Sequence, residues 1–93
     1  MASNPEPATD AIQSYCEAVK RRVETSTGKK HDVYTAKTYI SKPGDQIIYM
    51  VKVHVGGDNY YHLKLTRSSA GHLYKVQLLS LQTGKRLNDP LQL

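Results

Sequence analysis

The sequence predicts an α+β domain, one N-terminal α-helix wrapped by a four- to five-stranded antiparallel β-sheet. Three observations carry this. Apolar residues first recur with the period of a helix, the period then drops to 2, and the alternating runs are joined by short connections. A helix with one apolar stripe and a meander with one apolar face satisfy each other by packing together. Short sequential connections make neighbouring strands the default pairs.

The elements follow in order. Residues 1–8 are small, polar and Pro-rich and read as a flexible arm. Asp10 reads as a helix N-cap, with Gln13 completing a capping-box pattern. Ile12, Tyr15, Cys16, Val19 and Val23 then recur at i, i+3, i+4, i+7 and i+11, one stripe of a helix that Gly28 should end. From Val33 the alternation begins. Tyr34, Ala36, Thr38 and Ile40 form one set, and Ile47, Tyr49, Val51, Val53 and Val55 the next, with Met50, Lys52 and His54 on the opposite face. Gly56-Gly57-Asp58-Asn59 is a turn signal. Tyr61, Leu63 and Leu65 face inward on the third strand while Tyr60, His62 and Lys64 point away. Ser68 to His72 read as a loop, and a last strand runs from about Tyr74 to Gln82 before a polar tail.

The 93 residues make one small domain, expected to span 1–93. A chain of this size buries only ~60–65% of its unfolded surface, so its margin is thin. Seven tyrosines supply the aromatic bulk, since Phe and Trp are absent. The start lacks the basic and apolar regions of a secretory signal, and no apolar run approaches the ~20 residues that span a bilayer. A lone Cys16 cannot form an internal disulfide, which fits a reducing compartment. The expected location is cytoplasmic, with no membrane partner.

No catalytic set emerges. Cys16 sits on the helix stripe and reads as a buried small hydrophobe. His54 and His62 share the outward sheet face, but two ligands fall short of a zinc site, so no metal and no cofactor are expected. The net charge of +5 admits acidic partners. Tyr60, His62, Lys64 and Lys52 could contribute to a stacking platform, but the plainer reading is a solvated sheet face, and nucleic acid is not expected as a partner. The protein is not expected to be an enzyme.

Val51-Lys52-Val53-His54-Val55-Gly56-Gly57-Asp58 and Tyr61-His62-Leu63-Lys64-Leu65 give the order a family likeness. So do Pro7-Ala8-Thr9, Ile12-Gln13, Val19-Lys20 and Thr27-Gly28-Lys29-Lys30. Over nearly the whole chain, without gaps, the sequence resembles the stefins, the type 1 cystatins. The resemblance implies a cystatin-like fold and an intracellular, reversible inhibitor of papain-like cysteine proteases such as cathepsins. In the family three segments form a wedge that enters the protease cleft: an N-terminal arm with a glycine, a first hairpin loop reading Gln-Val-Val-Ala-Gly, and a second hairpin loop often carrying Leu-Pro or Pro-Gly. The resemblance also implies a tendency to domain-swapped dimers in which the first hairpin opens. Because Pro43-Gly44 would have to straighten for that, a monomer that swaps less readily is expected, with the swapped dimer as the alternative.

The family pattern places the first loop on Lys42, Pro43, Gly44, Asp45 and Gln46, the second on Ser69, Ala70 and Gly71, and the arm on Ser3, Asn4 and Pro5. Each departs from the pattern. The first is charged and reads as a tight turn, with Pro43 presetting φ and Gly44 free for positive φ. The arm has no glycine before the helix. The expectation is therefore an inhibitor weakened or retargeted. The alternative is a non-inhibitory binding module on the same scaffold, using its basic surface or charged hairpin tip.

Overall fold

The computed structural model describes residues 5–70 and 73–92. A two-residue strand, β1 (Glu6–Pro7), precedes helices α1 (Asp10–Ala18) and α2 (Lys20–Thr27). Strands β2 (Thr35–Lys42), β3 (Ile47–His54), β4 (Tyr60–Ala70) and β5 (Leu73–Lys85) follow. They form one sheet in the order β1-β2-β3-β4-β5, antiparallel throughout. The arm expected to be flexible thus contributes a strand at Glu6–Pro7, and the loop expected at Ser68–Ala70 is strand.

The helix is capped one residue earlier than expected, by Thr9 rather than Asp10. The Thr9 hydroxyl accepts the Ile12 N–H at 3.2 Å, and Asp10 lies inside the first turn. Gln13 serves a different purpose. Its amide donates to the Tyr34 carbonyl at 3.0 Å and accepts the Ala36 N–H at 2.7 Å, tying the helix to β2. The single expected helix is interrupted at Val19, whose N–H bonds to the Cys16 carbonyl three residues back. The apolar stripe continues through the break. Ile12, Tyr15, Cys16, Val19 and Val23 are all buried against Val51, Val53, Leu63 and Leu65 of the sheet. Gly28 ends α2 in the left-handed conformation at φ 71°.

Cys16 is fully enclosed, and burial, with a smaller contribution from Glu17, pushes its thiol up to about 12. The Tyr34 hydroxyl donates to the Cys16 carbonyl at 2.7 Å. His31 Nε2 and the Tyr61 hydroxyl are hydrogen bonded at 2.8 Å, beneath the loop that leaves α2.

Strand β2 changes phase part-way. Ala36 pairs with Val53 and Thr38 with Lys52, leaving Lys37 as an extra residue in a β-bulge. Beyond it Tyr39 faces the core, while Thr38 and Ile40 turn to the outer face, opposite Lys52 and Met50. The expected alternation of Tyr34, Ala36, Thr38 and Ile40 therefore holds only for its first two members. The carbonyl of Lys37 accepts the Ala8 N–H at 2.9 Å, so the arm fills the edge that the bulge opens.

The outer face of the sheet is not a solvated surface. Lys52 is 5% exposed and His62 2%. The Lys52 ammonium donates to the carbonyls of Leu87 and Asp89, in the segment after β5. That segment is closed by the Arg86 N–H donating to the Asp89 carboxylate at 2.8 Å. Lys52 and His62 are thus withdrawn from any stacking platform with Tyr60 and Lys64.

Candidate protease-binding edge

Strand register brings the described parts of the predicted segments toward one end of the sheet. Glu6 pairs with Tyr39 and Pro7 with Thr38, so Pro5 lies on the side of β1 nearer the end of β2. The β2–β3 hairpin turns there, between Lys42, paired with Ile48, and Ile47. Ile47 pairs with Arg67, and the β4–β5 hairpin continues past it through Ser68–Lys75, Ser69–Tyr74 and Ala70–Leu73 pairs. Three rungs at ~3.3 Å carry this hairpin roughly 10 Å beyond the last β3 pair.

Lys42, Pro43, Gly44, Asp45 and Gln46 are all exposed. Lys42 is the last residue of β2 rather than a turn residue, and the loop proper is 43–46. Gly44 does not use the positive φ expected of it; positive values occur at Gly28, Gly56, Gly57 and Gly84. The Thr66 hydroxyl donates to the Gln46 side-chain oxygen at 3.3 Å and ties the loop to β4. Of the second loop, Ser69 and Ala70 lie in β4, while Gly71 falls outside the described residues. Of the arm, Pro5 is exposed just before β1, and Ser3 and Asn4 lie outside the described residues.

Behind the edge stands an aromatic support that the sequence reading did not single out. Tyr49 lies 5.6 Å from Tyr15 and 6.1 Å from Tyr39, ring centre to ring centre. The Arg67 guanidinium sits 5.7 Å above the Tyr15 ring. Burial, and after it the carboxylate of Glu6, which pairs with Tyr39 across β1 and β2, push the Tyr39 phenol up. The clue available in sequence was the inward phase of Tyr49, next to the Tyr15 of the helix stripe.

His54 and His62 share the outer sheet face, as the alternation predicts. His54 Nε2 donates to the Gly57 carbonyl at 2.8 Å and its ring lies 4.9 Å from that of Tyr60, whereas His62 is covered. Among the described residues no group of three or more His, Cys, Asp or Glu side chains is placed to hold a metal ion. No helix among them is long and apolar enough to cross a membrane.

No family model matches the chain. Curated relatives match over nearly its full length. The chain is 39% identical to cystatin-B of Oplegnathus fasciatus over 89 residues, covering 96% of this chain and 89% of that protein. It is 37% identical to cystatin-A of Rattus norvegicus over 90 residues, covering 96% and 85%. It is 34% identical to leukocyte cysteine proteinase inhibitor 1 of Sus scrofa over 89 residues, covering 96% and 86%.

The chain belongs to the stefins.

It is therefore a member of a family of cysteine protease inhibitors and not an enzyme. In this stefin the α+β scaffold expected from periodicity is present, with a fifth, two-residue strand added at the arm. The exposed loop 43–46 carries Asp45, and Lys42 stands at the end of β2 beside it.

Proposed function

We propose that this stefin reversibly inhibits papain-like cysteine proteases of the cathepsin type in the cytoplasm, by inserting the edge built from Pro5, residues 42–46 and the β4–β5 hairpin into the active-site cleft. The register that brings these segments to one end of the sheet is the observation that supports the reading. A pre-formed, narrow edge binds without a large ordering cost. The charged tip weakens it. Burying Lys42 and Asp45 against an apolar cleft floor incurs desolvation, and two missing small apolar side chains remove ~2–4 kcal/mol at ordinary burial values.

Steady-state inhibition of papain and a lysosomal cathepsin tests this. The native protein is expected to inhibit competitively in the micromolar range, with little dependence on salt. Replacing residues 42–46 with Gln-Val-Val-Ala-Gly is expected to tighten inhibition by roughly 30–1,000-fold, at about 1.4 kcal/mol per decade. Absence of inhibition by the native protein, while the replaced form inhibits, would overturn the proposal and leave only a competent scaffold.

A further inference from the structure

From the middle of β5 toward the end of the sheet opposite this edge, a groove runs between the helices and β5. Its first part, a concavity of about 660 Å³, lies between Arg21, Arg22 and Ser26 of α2 and the Leu78–Leu81 stretch of β5. A second of about 470 Å³ shares Ser26 and Leu81 with it and adds Lys29 and Thr83. A third of about 510 Å³ shares Lys29, Tyr61 and Thr83 and reaches Lys30, Asp32 and Gly84. The three are neighbours through these shared residues, and together they make a channel that follows residues 78–84 of β5, about 20 Å at the rise of a strand.

Two properties of the channel are independent of each other. The first is charge. Its charged lining residues are Arg21, Arg22, Lys29 and Lys30 against Asp32, and all five are exposed. The second is an open sheet edge. Strand β5 is 13 residues long and ends the strand order, so among the described residues its outer row of N–H and C=O groups has no neighbouring strand. The register irregularity at Leu79 sets that side chain outside the regular alternation, and it stands 50% exposed beside the basic wall. Tyr61 is the one tyrosine in the lining and is 8% exposed, so the channel offers no stacking surface for bases.

We propose that this channel docks an extended acidic segment of a partner protein, which adds to the free edge of β5 with its carboxylates toward Arg21, Arg22, Lys29 and Lys30. Main-chain pairing supplies affinity in such an arrangement, and the alternate side chains supply selectivity. A segment alternating acidic and apolar residues fits best, its apolar side chains against Leu79. The site is separate from the protease-binding edge and does not rest on that reading.

The probe is a fluorescein-labelled decapeptide of alternating glutamate and valine, titrated with the full chain and followed by anisotropy. Its glutamine–valine counterpart is expected to bind at least tenfold more weakly, and raising salt from about 50 to 300 mM to cost a similar factor. The double variant Arg21→Glu with Arg22→Glu, confirmed folded by circular dichroism, is expected to lose at least tenfold while inhibiting papain as the native protein does. Two peptides N-methylated on alternate amides separate strand pairing from simple charge attraction: one should lose tenfold and the other bind as the parent. Equal binding by both methylated peptides, or by the glutamine–valine peptide, would overturn the proposal. So would displacement of the peptide by oligothymidylate at lower concentration than by unlabelled peptide, which would make the channel a polyanion site.

Discussion

The ammonium of Lys52 donates to the carbonyl oxygen of Asp89 at 2.5 Å, across 37 residues of sequence, and to that of Leu87 as well. A strand residue on the outer sheet face thereby anchors the segment after β5. Burial lowers the Lys52 pKa, with Asp89 opposing. Two backbone carbonyls accept from it in this buried place. Lys52→Ala leaves both acceptors without this donor and is expected to destabilise the fold by about 1.5–3 kcal/mol, the range for hydrogen bonds to charged groups. Urea unfolding read by circular dichroism checks this, with Lys64→Ala, on a less buried site of the same face, expected to change stability by under about 0.5 kcal/mol.

His62 lies under the same cover, paired with Lys52 across β3 and β4. Among the described residues no hydrogen-bond partner reaches its Nε2. Burial first, then the Lys52 and Lys85 charges, push its imidazole down to about 4 from 6.5, with Asp89 acting in the opposite direction. The unfolded chain takes up this proton near pH 6.5, whereas the folded chain takes it up only near 4. The contribution to stability is therefore complete above pH 6.5, is lost as pH falls toward 4, and is level below that. At about 1.4 kcal/mol per unit the loss amounts to at most about 3.5 kcal/mol. Unfolding midpoints at pH 7, 5.5 and 4 should fall more steeply in the native chain than in His62→Gln. Parallel slopes would contradict the assignment.

Comparison of sequence and structure divides along the distance over which each feature is decided. The helix stripe from Ile12 to Val23 was legible because its period is local, and the break at Val19 leaves that stripe in place. The alternation of β3 and β4 was legible for the same reason. The phase of β2 was not, because the bulge at Lys37 is held by Ala8 and flanked by the Gln13 contacts to Tyr34 and Ala36, all from outside the strand. Lys52 and His62 looked solvated because their cover arrives from residues 86–89. For the candidate edge, the position of the first hairpin followed from the turn residues at Pro43-Gly44. Strand β1 did not, since two residues are too few to show a period.

Gln13 offers a direct test of the long-range part. Its amide bridges Tyr34 and Ala36 on the strand that begins the bulge. Gln13→Ala removes both bonds and leaves the part-buried Ala36 N–H without this acceptor, for an expected loss of about 1–3 kcal/mol. Gln13→Glu keeps an acceptor for Ala36 but sets a carboxylate against the Tyr34 carbonyl, so it should not restore the native stability. Amide hydrogen exchange should show the loss first at Ala36. If exchange there is unchanged in Gln13→Ala, the amide is not what holds the start of β2.

Pro43 bears on assembly. In a domain-swapped dimer the first hairpin opens, and residues 43–46 must run on as strand between β2 and β3. Proline has no N–H for the ladder and is poorly suited to mid-strand positions. In the folded monomer it stands exposed in the loop just after Lys42, where the missing donor has no cost. Pro43→Val is expected to favour the swapped form by about 1 kcal/mol for each chain, the value of an ordinary ladder bond. Two chains per dimer then raise the dimerisation constant by about 30-fold. Gel filtration after long incubation at high concentration reads the outcome. The native chain should elute as a monomer while Pro43→Val accumulates dimer, and equal dimer fractions would show that the loop proline does not limit the exchange.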